Sequence, residues 1–283
     1  MKWSTDIFRD VMSGFKMTVP GKRFFMDNQI LLSVKNVSKS FPLKGKQRKN
    51  VVQDVSFDIY KSETLALVGE SGCGKSTLAN LIMGILEADS GEIYFDGARI
   101  SGLPEKARRP YRKRMQMVFQ DPASSLDPRM TIRNIIAEPL KAWHICESRK
   151  ELDEKISELL DMVEMRKDCL DRYPHQFSGG QKQRIGIARA IATNPDFLIC
   201  DESVSALDVS VQAQILNLLK KLKEQENLTC LFISHDLSVV NFIADRVCVI
   251  NGGIICETAP TDRLFAEPQN EYTKYLLSSV YPL

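Results

Sequence analysis

The stretch that most constrains what this chain can become is GESGCGKST, Gly69 to Thr77, which follows the apolar run ETLALVG and leads into KSTLANLIMGIL. It fits G-x-x-x-x-G-K-[ST] and stands in the strand, loop, helix context that this pattern requires. Glycine lets the backbone curl until its N–H groups point inward, and the N-terminus of the following helix adds partial positive charge, so the turn suits a phosphate group. Lys75 is then placed to reach the outer phosphates, and the Ser76 hydroxyl to meet a Mg²⁺ ion bridging phosphate oxygens. Such a loop names a fuel and leaves its use open.

At 283 residues the chain can bury a substantial core as one large domain or two smaller ones. Its 43% hydrophobic and 26% charged residues match a soluble protein, and no apolar run approaches the roughly 20 residues that span a bilayer. Basic residues exceed acidic ones by 38 − 36 = 2, so no global field draws the protein to nucleic acid. The seven cysteines, at 73, 146, 169, 200, 230, 248 and 256, form no C-x-x-C pair and have no histidine at ligand spacing. They read as reduced cytosolic thiols rather than a metal site or disulfide framework. The opening MKWSTDIFRDVMSGF lacks the apolar core and cleavage site of a secretory signal.

Trp3, Ile7, Val11 and Phe15 recur every four residues and suggest either an amphipathic helix resting on a membrane surface or an extension outside the fold, with Met26 a possible natural start. From Ile30 onward, ILLSVKNV, VVQDVSFDIY, ETLALVG, MQMVF, FLICD, TCLFIS and RVCVI read as strands, separated by helical stretches such as 209–226. This order predicts an α/β fold with a mostly parallel sheet and helices on both faces. Between Gln120 and Ser178 the pattern changes to helical spacing, at 131–142 and through Leu152, Ile156, Leu159, Leu160 and Val163, and predicts an inserted helical subdomain at about 121–178. The basic runs KGKQRK (44–49) and RRPYRKR (108–114) read as solvated loops, with phosphate or headgroup contact the alternative; neither has the interleaved aromatics of a single-strand binder.

Two further elements carry chemistry. In FLICDE, apolar residues set Asp201 at the end of a buried strand where a carboxylate can hold the Mg²⁺ shell, and Glu202 one residue on can act as general base on water. In FSGGQKQRIGIARA, Ser178, Gly179 and Gly180 precede a helix, a second device for gripping an anion. One phosphate loop has no use for another. Here the chain resembles the ATP-binding cassette (ABC) family of P-loop NTPases, whose signature this stretch matches apart from Phe177, where leucine is more common.

The resemblance spans roughly 30–283 and implies more. Phe41, 28 residues before Gly69, resembles the aromatic that stacks on adenine; Gln120 in VFQDP the glutamine linking Mg²⁺ to the helical subdomain; Ser205–Asp208 the loop that passes information between subunits; His235 in ISHD the histidine that contacts the γ-phosphate. It implies ATP binding by Phe41, Gly69, Ser71, Gly72, Cys73, Gly74, Lys75, Ser76, Thr77, Gln120, Ser178, Gly179, Gly180, Gln181 and Asp208. Ser76, Gln120 and Asp201 would hold Mg²⁺, and Glu202, His235 and Lys75 would be catalytic. The implied architecture adds an antiparallel β subdomain to the parallel core. Ser203 stands where the family usually has proline, which leaves the rigidity of that loop open. An accessible Cys73 thiol predicts that alkylation blocks nucleotide binding.

VFQDPASSLDPRMTIRNIIAEPL, RYPHQFSGGQKQRIGIARA and SVSALDVSVQAQILNLL look like the ATPase subunits of bacterial dipeptide, oligopeptide and nickel importers, and PQNEYTKYLL is similar to their C-terminal motif (about 257–283), with Asn270 and Glu271 for the usual His and Pro. The resemblance implies a subunit on the cytoplasmic face of the membrane that pairs head to tail with a homologous ATPase and drives two membrane permease subunits fed by an extracellular substrate-binding protein. Peptide import is the first reading and nickel import the second. A non-transport cassette is the rival from another class, but no second cassette, coiled coil or zinc insertion is read in these residues. An inactive regulatory subunit is opposed by Lys75, Glu202, His235 and Ser178–Gln181. No iron–sulfur cluster is expected.

Overall fold

A computed structural model describes residues 29–43, 47–205 and 207–280. Two long strands, β1 (Ile30–Pro42) and β2 (Arg48–Tyr60), pair antiparallel, and β1 pairs on its other side with β4 (Ser90–Phe95), which turns into the short β5 (Ala98–Arg99). The second sheet contains β3 (Thr64–Val68), β6 (Met115–Val118), β7 (Phe197–Asp201), β8 (Thr229–Ser234), β9 (Arg246–Asn251) and β10 (Ile254–Pro260) in the order β10-β9-β3-β8-β7-β6. Its strands run parallel except β10, which returns antiparallel on β9. β3, β7 and β8 are buried along their whole length, which is why they read as continuous apolar runs rather than alternating ones.

The helices are α1 (Lys75–Ile82), α2 (Glu105–Arg114), α3 (Pro122–Ser125), α4 (Ile132–Ala142), α5 (Arg149–Met162), α6 (Gly179–Ile191), α7 (Val209–Glu226), α8 (Leu237–Ile243), α9 (Thr261–Ala266) and α10 (Glu271–Val280). Between β6 and β7 the described residues hold helices α3 to α6 and two single 3₁₀ turns, as the change of period in the sequence predicts. Thr131 and Ser148 cap α4 and α5, each accepting from a backbone N–H three residues on. These helices have no separate core: Ile135, Leu159 and Ile185 share one apolar cluster with Leu198 and Phe232 of the sheet. A second cluster on the other face joins Val34 and Phe57 of the antiparallel sheet to Leu65, Leu78 and Phe197, so the phosphate-loop helix is clamped between the two sheets. Each such side chain, fully withdrawn from water, contributes about 1.5–3 kcal/mol.

Two expectations are corrected. The run RRPYRKR lies in α2 rather than in a loop. Tyr111 alone supplies an apolar anchor, and the aliphatic stem of Arg108 is buried while its guanidinium bonds the Gly84 carbonyl at 2.7 Å, so no hydrophobic period marked the helix. Arg112 grips Glu105 of the first turn with two bonds of 2.5 and 2.9 Å, and the cations of the last turn suit the C-terminal dipole. The helix after the phosphate loop stops at Ile82 instead of running to Leu86, because Gly84 adopts φ 65°. The strands β4, β5 and β10 lay outside the sequence reading. The proposed helix through Trp3 and Phe15, Met26 and residues 44–46 of the first basic run fall outside the described residues.

Candidate active site

The site forms where β3, β7 and β8 end side by side. Residues 69–74 leave β3 and α1 begins at Lys75, so the loop opens directly on the sheet's carboxyl edge, where open parallel sheets bind ligands. Gly74 takes φ 109°, and a Cβ there would stand 2.5 Å from the Val51 carbonyl; only glycine allows this loop to press against β2. That contact also locates Phe41. Its partner across the strand pair is Lys49, two residues from Val51, so the half-buried ring lies at the end of the antiparallel sheet that borders the loop, with Lys39 Nζ 5.8 Å from its centroid.

Lys75 is only 4% exposed. Its Nζ donates to the carbonyls of Gly69 at 2.8 Å and Glu70 at 2.9 Å and stands 3.9 Å from Glu202 Oε1. These oxygens hold the ammonium over the loop until a stronger anion takes their place. Ser76 Oγ donates to Asp201 Oδ1 at 3.1 Å, although the two stand 125 positions apart in the chain. Burial raises the pKa of Asp201, with Glu202 adding to the rise, while the bond from Ser76 works against it. A hydroxyl and a carboxylate at this separation are hard oxygen donors of the kind that Mg²⁺ takes, with its remaining positions left for water and phosphate. Among the described residues no group of three or more His, Cys, Asp or Glu gathers as a metal site by itself.

Glu202 begins the turn after β7 in a left-handed conformation, φ 43°, with its N–H bonded to the Ile233 carbonyl of β8. Gln120 Nε2 donates to Glu202 Oε2 at 2.7 Å, and His235 Nδ1 lies 3.4 Å from Oε1. The expected base, the glutamine from the start of the helical region and the histidine from the end of β8 therefore meet on one carboxylate. Ser203, in the proline position, is 2% exposed.

Cys73 is corrected. It is 8% exposed, burial raises its thiol pKa, and a Cβ on Gly69 would meet its Sγ at 2.9 Å. It packs beneath the loop and is no open target for alkylation.

Ser178, Gly179, Gly180 and Gln181 form a separate turn. Ser178 Oγ accepts from the Gln181 N–H and Gln181 Oε1 from the Ser178 N–H, a capping box that starts α6 and leaves Ser178 exposed. Gly180 lies against Val211, and Asp208 caps α7 by accepting from the Val211 N–H, so the turn and Asp208 are neighbours. Among the described residues no hydrogen bond joins 178–181 to 69–77. Sequence reasoning missed one contact at the loop: the Tyr272 hydroxyl, from the tail motif PQNEYTKYLL, accepts the Glu70 N–H at 3.3 Å.

This constellation defines a nucleotide-binding cassette, and residues 52–205 match the family described as ABC transporter. The chain belongs to the ABC transporter family. It is 49% identical over 253 residues to the oligopeptide transport ATP-binding protein OppF of Bacillus subtilis, covering 88% of this chain and 82% of that protein. It is 48% identical over 251 residues to OppF of Streptococcus pyogenes, covering 88% and 81%. The dimeric post-hydrolysis structure of the cassette MJ0796, bound to ADP and Pi, superposes with a TM-score of 0.75 at 30% identity over 82% of this chain and 99% of that one. CbiO1 of Clostridium perfringens, part of the ABC transporter complex cbiONQ, gives 0.75 at 25% identity over 90% and 96%.

Proposed function

We propose that this chain binds ATP with Mg²⁺ in the cleft at the carboxyl edge of the parallel sheet and hydrolyses it to power an oligopeptide or dipeptide importer. The observation that carries the reading is the convergence of Lys75, Gln120 and His235 on the Glu202 carboxylate beside the Ser76–Asp201 pair, at the end of the phosphate loop. The likeness to the two OppF proteins supports the peptide cargo.

Each residue has work it can do there. The loop N–H groups from Ser71 to Thr77 and Lys75 Nζ bind and orient phosphates, and Phe41 offers a π-face to the base. Ser76 Oγ and the ionised Asp201 would hold Mg²⁺ with Gln120 nearby; the ion supplies charge neutralisation on the phosphate oxygens. Glu202 takes the proton of the attacking water, with Gln120 and His235 fixing the direction of its carboxylate. The exposed capping box at Ser178, together with Asp208, is free to close on nucleotide held by a second, homologous subunit. The domain plan follows: residues 30–283 as the nucleotide-binding unit after an extension at 1–29, a helical part at about 121–178, and a tail motif at about 257–283. A groove near Gln120 and the helical part is where one of two membrane subunits would dock on the cytoplasmic face, with an external binding protein delivering cargo.

Reconstitution of the chain with its neighbouring ATPase and permease subunits in vesicles tests this reading. ATP-driven uptake of labelled oligopeptides supports it; uptake of Ni²⁺ but not peptides assigns the metal-importer alternative, and absence of any ATP-dependent transport removes the transport reading.

A further inference from the structure

The described tail of the chain reaches back to the phosphate loop at one atom. α9 and α10 are joined by a short turn that Glu257 of β10 fixes, its carboxylate accepting from the N–H groups of Gln269 at 2.9 Å and Asn270 at 3.0 Å. Asn270 Oδ1 in turn accepts from the Tyr272 N–H at 2.9 Å, which sets the first turn of α10. From there Leu277 is buried in one apolar cluster with Val68, Leu237 and Val249, with Tyr272 and Leu276 packed on the same cluster, so α10 shares a core with the strand that delivers the loop. Leu276 also lines the cleft shared by Gly69, Ser71, Glu202 and His235.

The Tyr272 hydroxyl accepts from the Glu70 N–H, and the carbonyl of that same peptide unit, on Gly69, accepts from Lys75 Nζ at 2.8 Å. One peptide plane at the entry of the phosphate loop is thus held at both ends, by the catalytic lysine on one side and by the tail on the other. A peptide plane bonded through both its N–H and its C=O cannot rotate without breaking one of the bonds, and pre-set loops bind anions without an ordering cost. Burial raises the pKa of the Tyr272 phenol, which keeps it an uncharged acceptor.

We infer that Tyr272 is a positioning residue for ATP binding: its hydroxyl holds the Gly69–Glu70 peptide in the orientation that presents Lys75 to the phosphates, so the C-terminal helix sets nucleotide affinity. This rests on the reading of 69–77 as the ATP phosphate loop. The role is distinct from tail packing, because it resides in one oxygen atom and not in the ring.

The test is calorimetric titration of ATP into the 283-residue chain, with Tyr272→Phe as the variant and Tyr275→Phe, on a 62% exposed neighbour, as control. Loss of one hydrogen bond at a pre-set loop predicts a Kd for ATP about three- to tenfold weaker in Tyr272→Phe. The thermal midpoint should be nearly unchanged because the ring still packs, and Tyr275→Phe should bind as the unaltered chain does. Amide exchange of the Glu70 N–H in the nucleotide-free protein should accelerate severalfold in Tyr272→Phe alone. Equal ATP affinity and equal exchange in Tyr272→Phe overturn the inference while leaving the ATP-binding reading intact. A parallel fall in thermal midpoint and affinity in both tyrosine variants overturns it in favour of packing. Failure of the unaltered chain to bind ATP brings down the functional reading and the inference together, a result that no outcome in the variants can imitate.

Discussion

Gln120 Nε2 and Glu202 Oε2 are bonded at 2.7 Å although 82 residues separate them in the chain. Gln120 follows β6 at the start of the helical region and Glu202 follows β7, so this bond joins the proposed base to the start of the helical region.

Glu202→Gln should retain ATP while turnover falls by about 10²–10⁴-fold, the range of a lost general base. Gln120→Ala removes the bond that orients Glu202 together with a side chain beside the proposed Mg²⁺ site, and should cost about five- to tenfold in kcat with little change in Kd for Mg²⁺-free ATP. Single-turnover hydrolysis set beside equilibrium binding separates the two; unchanged turnover in Glu202→Gln assigns the base elsewhere.

Cys73 should resist alkylation. Its burial and raised pKa both lower the concentration of reachable thiolate, so iodoacetamide at pH 8 should label it about 100-fold more slowly in the folded chain than in urea. Peptide mass spectrometry over a time course measures the ratio. Rapid labelling of folded protein would contradict the packing of the loop over this side chain.

Asp89 carries a pH-dependent share of stability. Its carboxylate accepts from the Ser40 hydroxyl at 2.7 Å, from the Ser40 N–H at 2.8 Å and from Lys39 at 3.0 Å, and these bonds, the hydroxyl first, hold its pKa well below the ordinary 3.8. Because the folded value is the lower one, the stabilisation is fully present above the unfolded pKa and is lost as pH falls through the folded one. Discounted for the partial exposure of the pair, Asp89→Asn should cost about 1 kcal/mol at pH 7, and the gap between variant and unaltered chain should narrow below about pH 3. Urea denaturation at the two pH values checks both the sign and the window.

Gly180 has no room for a side chain, since a Cβ would lie 2.2 Å from Val211 Cγ1. Gly180→Ala should destabilise the chain by about 1–3 kcal/mol. It should impair hydrolysis by the paired enzyme more than ATP binding by the single chain, because the strain falls on the Ser178 turn and Asp208 rather than on 69–77. Val211→Ala should restore much of both, and a double-mutant cycle in thermal midpoint and turnover measures the coupling.

Much of the architecture could be read locally. Continuous apolar runs at 64–68, 197–201 and 229–234 announced buried parallel strands, and the helix at 209–226 showed its full length through spacing. The segments that were missed lack such a pattern. β10 has only half-buried and exposed positions at a sheet edge, and α2 buries an arginine where a periodic reading looks for leucine. Around the site, residue type and order pointed to Lys75, Ser76, Asp201 and Glu202, and the family resemblance to His235, while Tyr272 gave no local signal of its contact with a loop some 200 residues earlier.

By itself the sequence determined which residues can do the chemistry: a glycine loop able to turn its N–H groups inward, a lysine and hydroxyl behind it, and acids set at the ends of apolar strands, all consequences of local sterics and burial. Tertiary structure decided what those residues do to one another. The register of β3, β7 and β8 brings Ser76 onto Asp201, and the path of the chain carries Gln120 and His235 to the two oxygens of Glu202 and the tail tyrosine to the loop. Such pairings follow from strand order and packing across the whole core, and no local rule of propensity or spacing contains them.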